Sequence, residues 1–179
     1  MIDPSLSWTK TQAVSQGFTL LDSVESTNTW LMAKNTVNAA EVVVTLNQVG
    51  GRGRMNRRWI NQPGEGLALS VVVPPILKEN PRQLASTWIP LVAGAAVVKS
   101  VQSKGIQDAS MKWPNDVLVG GRKLAGILCE VRPDGHVVAG VGINVGFAAD
   151  RPDSRAISLN EVLKDPPSMI DELVAGILG

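Results

Sequence analysis

Between residues 117 and 142 the chain alternates β-forming runs with tight-turn signals. Residues 117–119 are followed by Gly120-Gly121, residues 122–131 by Pro133-Asp134-Gly135, and residues 136–142 close the series. Gly-Gly and Asp-Gly pairs supply the positive-φ residues that short hairpin loops require. Three consecutive antiparallel strands follow from this, and strands joined by hairpins leave no room for the crossover helices of a doubly wound fold. Two further runs rich in β-branched residues, 41–46 and 67–73, read as buried strands, the second stopped by Pro74-Pro75. Residues 18–22 read as a shorter one.

The helical signals are fewer. Ser26-Thr27-Asn28 precede an apolar-periodic segment and are N-cap types, predicting a helix over about 28–34. Capping is the simpler use of these residues; exposed amides facing an anion is the other. Residues 83–103 carry apolar side chains at helical spacing (Leu84, Trp88, Leu91, Val92, Ala95, Val98 and Val101), with Pro90 inside the pattern and Gly105 after it. The stable part is expected from Pro90 to Ser103. A short helix is expected over 158–163, and a last one begins at Ser168 as N-cap, with Glu172 in its first turns. Residues 1–17 read as a loose polar lead-in, 61–66 as a turn and 147–156 as a polar loop. The expected architecture is one α+β domain over residues 1–179: a mixed, largely antiparallel sheet flanked by helices.

Composition narrows the function. Hydrophobic residues are 44% and charged residues 18% of 179, so the chain folds around a core. A formal net charge of +1 argues against a general nucleic-acid or membrane surface. One cysteine, Cys129, permits neither an intramolecular disulfide nor a cysteine-only zinc site, and one histidine, His136, makes a histidine metal site improbable. No apolar run is long enough to span a bilayer, and a cytoplasmic protein is the default expectation.

Basic charge is instead concentrated between residues 50 and 59. Gly50, Gly51 and Gly53 sit among Arg52, Arg54, Arg57 and Arg58, and Trp59 closes the run. Glycines let a ligand approach the backbone, guanidinium groups fork onto carboxylate or phosphate oxygens, and an indole offers a stacking face. The composition suits an anionic, partly planar ligand; a solvated basic loop is the competing reading. Bland readings also stand for Lys123 (a surface lysine), Trp113 (packing), Arg57 and Arg58 (solvated), Asn144 (a strand-end cap), Cys129 (a small buried hydrophobe) and His136 (exposed beside a turn).

Four motifs occur in order: Gly-Arg-Gly-Arg-x-x-Arg-x-Trp at 51–59, Lys-Trp-Pro-Asn-Asp at 112–116, Arg-Lys-Leu-Ala-Gly-Ile at 122–127 and Gly-x-Gly-Ile-Asn at 140–144. Together they resemble the biotin protein ligases, over roughly residues 24–161, and the resemblance implies a class II aminoacyl-tRNA synthetase-like fold. It implies attachment of biotin to a lysine of a biotin carboxyl carrier domain, through biotinyl-5′-AMP, using ATP and Mg²⁺. On the family pattern Arg54, Lys123 and Asp116 are catalytic, with Asp116 as the metal ligand. Biotin would meet Ser26, Thr27, Asn28, Gln48, Gly51, Arg52, Arg54, Lys123, Gly126 and Gly140. ATP would meet Arg54, Trp59, Lys112, Asn115, Asp116, Lys123 and Asn144. Cations are needed because the first step brings two anions together. Homodimerisation through an exposed sheet edge is one assembly the resemblance allows.

Two departures from the family shape these expectations. Too few residues precede the matching region for the DNA-binding helix-turn-helix of many members, so no DNA partner is expected. The chain also stops before the small barrel-like C-terminal domain. Competing functions are a lipoate or octanoate attachment enzyme on the related fold, a catalytically weakened biotin-binding module, and a nucleic-acid binder using the arginines. The first lacks its own arginine–glycine and acyl-transfer cysteine patterns here, the second fits poorly with Lys123, Arg54 and Asp116 all present, and the third with a near-neutral chain.

Overall fold

Seven strands form a single sheet in a computed structural model that describes residues 6–59, 61–75, 86–147 and 153–179. In chain order the elements are α1 (Thr9–Val14), β1 (Gly17–Leu21), α2 (Thr27–Met32), β2 (Glu41–Thr45), β3 (Gly66–Val73), α3 (Ile89–Gln102), β4 (Ser110–Lys112), β5 (Asp116–Val119), β6 (Arg122–Val131), β7 (Val137–Asn144), α4 (Leu159–Val162) and α5 (Pro166–Leu178). The sheet order is β1-β2-β3-β7-β6-β5-β4. Only β1–β2 is parallel; every other neighbour pair is antiparallel. The expected mixed, largely antiparallel sheet is therefore observed. Its hairpins turn where the glycines stand: Gly120 and Gly121 have φ of 55° and 74°, and Gly135 has 88°.

Side-chain alternation along the strands sorts residues to two faces. Val42 and Val44 of β2, Leu67 and Leu69 of β3, and Val141 and Ile143 of β7 enter the main core, which α3 and α5 cover with Val97, Val101, Ile170, Leu173 and Val174. Val43, Val72 and Val138 point the other way and meet Leu31 of α2. Short α2 thus covers one end of the second face. The far end of α2 is tied to the β6–β7 turn: the buried guanidinium of Arg132 donates to the carbonyls of Leu31, Met32 (3.1 Å) and Lys34 (2.9 Å), while its Nε meets Asp134 at 3.1 Å.

Several local readings need correction. The lead-in is not wholly loose: residues 9–14 form α1, with Trp8 buried and stacked at 5.6 Å on Phe18. Its first amides are capped from α5, where Asp171 accepts from Lys10 N (3.0 Å), Thr11 N (2.8 Å) and the Thr11 hydroxyl (2.7 Å). A cap supplied by a distant segment leaves no local sequence signal. Ser168 is not an N-cap; α5 begins two residues earlier after Asp165, and Ser168 Oγ donates to the Asp165 carbonyl. Residues 110–112, to which the sequence assigned no element, form the edge strand β4. His136 is half-buried rather than exposed, with Nδ1 3.1 Å from Asp134. Pro90 sits at the start of α3, as its fixed φ allows. Residues 1–5 of the lead-in, Leu84 in the helical pattern and 148–152 of the polar loop lie outside the described residues. Among those described, no helix is long and apolar enough to cross a membrane.

Asp171→Ala should lower the unfolding free energy by about 2 kcal/mol, the cost of orphaning buried donors, measured by urea denaturation. Next to it, Glu172 pairs with Lys10 and Lys104, whose hydrogen bonds hold its carboxyl down to about 2. Its folded value lies below its unfolded one, so this stabilisation is present above the ordinary carboxylate range and is lost as pH falls toward about 2. Glu172→Gln should flatten that part of the acid limb, slightly and less at high salt because the group is exposed.

Candidate active site

Beyond the end of α2 the second face of the sheet has almost no side chains on it. The residues that alternation sends there are Gly126 of β6, Gly140 and Gly142 of β7, and Ala68 of β3, and the register pairs Gly126 with Gly142 and Gly142 with Ala68. This floor underlies a cleft of about 380 Å³, within the range of small-molecule sites. The glycines are required by what lies on them. A Cβ on Gly140 would stand 2.1 Å from Asn28 Oδ1, and one on Gly142 2.6 Å from the Trp59 indole.

The wall on the α2 side is a chain of hydrogen bonds. Gln48 Oε1 accepts from Thr27 N at 2.9 Å. Thr27 Oγ1 lies 2.7 Å from Ser70 Oγ, which donates to Asn28 Oδ1 at 2.6 Å. The Asn28 amide in turn donates to Glu130 Oε2 at 2.7 Å and to the Leu128 carbonyl at 3.0 Å. Ser26 caps α2 by accepting from Thr29 N at 3.3 Å, whereas the Thr27 and Asn28 side chains are turned to Ser70 and Glu130. The wall presents neutral donors and acceptors whose rotamers are fixed by one another.

The opposite side is cationic. Arg52, Arg54, Arg57, Arg58, Lys112 and Lys123 all line the cleft, against one lining carboxylate, Asp116. Lys123 Nζ lies 2.7 Å from Asp116 Oδ1 and 5.5 Å from the centre of the Trp59 ring, a cation–π distance. Arg54 is exposed and has no ion pair among the described residues, whereas Arg52 reaches Glu130 at 3.0 Å and Thr29 at 3.1 Å. Positive charge with so little local compensation favours an anionic occupant. Among the described residues no group of three or more His, Cys, Asp or Glu could hold a metal ion, and Asp116 is the one carboxylate lining the cleft. A single carboxylate fits a magnesium that takes most of its ligands from phosphates and water.

Of the residues singled out in the sequence, Ser26, Thr27, Asn28, Gln48, Arg52, Arg54, Trp59, Lys112, Asn115, Asp116, Lys123, Gly126 and Gly140 all line this one cleft. Gly51 lies behind it, where a Cβ would be 2.7 Å from Gln48 Nε2. Asn144 is not brought to the cleft wall: its buried amide donates to the Lys123 and Ile157 carbonyls, both at 3.1 Å. It fixes the backbone under Lys123. Trp113 is 76% exposed at the rim, not packed, and Arg57 and Arg58 are exposed there too. Cys129 is on the core face, and burial pushes its thiol up to about 12, so it behaves as an inert apolar group. Two residues that support the site escaped the sequence reading: Ser70 was signalled by a lone hydroxyl in an otherwise apolar central stretch and Glu130 by a charge on a β run. Gly142, quoted in a motif, was given no role there, although it shares strand parity with Gly140.

Known proteins share the fold and much of the sequence. Residues 20–147 match the biotin/lipoate A/B protein ligase family. The biotin–[acetyl-CoA-carboxylase] ligase of Mycobacterium tuberculosis is 41% identical over 140 residues, covering 75% of this chain and 51% of that protein. The bifunctional ligase/repressor BirA of Bacillus spizizenii is 33% identical over 149 residues, covering 79% of this chain and 44% of that protein. The chain thus spans about half the length of these curated relatives. The structure of the Aquifex aeolicus biotin protein ligase in complex with biotin and ATP superposes with a TM-score of 0.73 at 30% identity, over 90% of this chain and 68% of that one. A putative lipoate protein ligase from T. acidophilum, with bound lipoic acid, shares the fold at a TM-score of 0.59 and 16% identity. With most of its length inside the family model and nine-tenths of it laid onto a solved relative, the chain belongs to the biotin/lipoate A/B protein ligase family.

Proposed function

We propose that this chain carries the catalytic centre of a biotin protein ligase. The observation that carries the reading is the meeting of Arg52, Arg54, Asp116 and Lys123, from separate segments, around one glycine floor. Biotin lies with its neutral ureido end on the Ser26–Thr27–Asn28–Gln48 wall and its carboxylate toward the arginines. A biotin carboxylate oxygen attacks the α-phosphorus of ATP. The bond to the bridging oxygen breaks, pyrophosphate leaves with the electron pair, and biotinyl-5′-AMP remains. Arg54 and Lys123 offset the repulsion between the two anions and the charge that develops on the phosphorus oxygens. Arg52 holds biotin, Trp59 stacks near the adenine, and Lys112 and Asn115 flank the phosphates.

Asp116 would hold Mg²⁺, which shields phosphate charge when bound. In the second step a lysine amine of a biotin carboxyl carrier domain attacks the acyl carbon, and AMP leaves. As an ionised carboxylate, Asp116 also suits the proton that this amine must lose. An acyl-thioester route finds no support, since Cys129 faces the core with its thiol held protonated. The need for ATP makes the cytoplasm the expected compartment, and the terminal strands of the sheet, β1 and β4, are where two copies would pair edge to edge.

Mixing the protein with biotin, ATP and Mg²⁺ should release pyrophosphate, and adding a carrier domain should raise the mass of its lysine by one biotinyl group. Lipoate in place of biotin should neither raise the melting temperature nor release pyrophosphate. Arg54→Ala and Lys123→Ala should each slow pyrophosphate release at least about a hundredfold, as removal of a charge stabiliser does. Near-normal turnover in either variant removes that residue from the mechanism. Biotin with ATP should also protect the bonds after Arg52, Arg54, Arg57 and Arg58 from trypsin, because the loop closes over the anhydride; equal cleavage with and without them would argue against closure.

A further inference from the structure

Glu130 is a carboxylate beside a cleft whose ligands are anionic, an arrangement that weakens binding unless the charge is used. It stands on β6, two strand positions past Leu128 and paired with Val138, so its backbone is fixed by the sheet. Both of its oxygens meet Arg52 Nη2, at 3.0 and 3.1 Å, and Oε2 also accepts the Asn28 amide at 2.7 Å. The same Arg52 nitrogen donates to Thr29 Oγ1 at 3.1 Å. Elsewhere the arginine loop is held by its ends. Gly50 N donates to the Glu25 carbonyl at 2.7 Å, and Trp59 lies against Gly142. Among the described residues between them, Arg52 has the one side chain that hydrogen-bonds to the body of the protein. The clip uses a single guanidinium nitrogen, and Nε and Nη1 stay available to a ligand.

We infer that Glu130 is a positioning residue for ligand capture: it clips Arg52 to the α2 wall and so biases the arginine loop toward the closed arrangement that ligand binding completes. The loop's glycines make the open state entropically favourable, and a charge-assisted hydrogen bond at mid-loop opposes that opening. The same carboxylate orients Asn28, so ligand wall and loop are set by one group. Glu130 touches neither substrate nor reacting atoms; it acts through Arg52 and Asn28. This inference deepens the biotin ligase reading and rests on it for its ligand, but the ligand-free part of the test does not.

Two variants separate charge from packing. Glu130→Gln keeps an oxygen for the Asn28 amide and removes the charge that holds Arg52; Glu130→Asp keeps the charge and draws it back by one methylene. In ligand-free protein, Glu130→Gln should speed tryptic cleavage within residues 52–58 about five- to tenfold, with Glu130→Asp in between. By calorimetry with biotin alone, Glu130→Gln should weaken binding about tenfold, through faster dissociation. At saturating biotin and ATP its rate of pyrophosphate release should stay within about twofold, and its melting temperature within a few degrees, of the parent. Adding Glu130→Gln to an Arg52→Gln background should change cleavage and affinity no further. Parental cleavage and affinity in Glu130→Gln overturn the inference, as does a fall in kcat as large as the loss of affinity. If the parent protein fails to bind biotin, the ligase reading falls, while the ligand-free cleavage rates still decide whether Glu130 clips the loop.

Discussion

The close approach of side chains to bare backbone on β6 and β7 is the constraint on which the site depends. Three glycines at matching parity empty one patch of the sheet face whose other end is covered by α2. Functional groups rest directly on that patch: Asn28 on Gly140, Trp59 on Gly142 and Gly126, and Lys123 on Gly126. Any side chain there would have to displace one of them, because a Cβ already falls inside contact distance. The opposite parity of the same strands carries Val141 and Ile143 into the core, so floor and core are the two sides of one pleat.

That pleat separates two walls of different character. Along the α2 wall, each polar group is satisfied by the next, from Gln48 through Thr27, Ser70 and Asn28 to Glu130. Along the other side only Lys123, beside Asp116, and Arg52, clipped to Glu130, have a carboxylate close by among the described residues. The two walls are therefore unequal in energy before any ligand arrives. One is saturated and stiff; the other is held apart at a cost that an anion relieves.

Much of this was legible in the chain. Turn chemistry placed the hairpins because Gly120, Gly121 and Gly135 are needed for positive φ whatever the tertiary context. β-branched runs placed the central strands because burial on two faces demands them. The motif residues pointed to one cleft because their chemistry, anion binding by arginine and lysine over glycine, is local in kind even when distant in sequence. What stayed hidden is non-local. α1 takes its cap from Asp171, some 160 residues away, and a six-residue helix has too few turns to show periodicity. Asn144 sits in a motif, but its position behind Lys123 depends on Ile157 arriving from another segment. Ser70 and Glu130 look like minor irregularities in strands until α2 is laid across them.

A turn joining two strands is ordinarily the place where a protein absorbs insertions and sequence drift. The turn after β6 does not have that freedom. Its Arg132 is threaded beneath α2 and fastened to three carbonyls at the helix's far end, while the near end of the same helix supplies Thr27 and Asn28. Lengthening the loop by even one residue would tug on a lever whose other arm is the specificity wall, which makes an outwardly ordinary surface hairpin as intolerant of change as the ligand pocket itself.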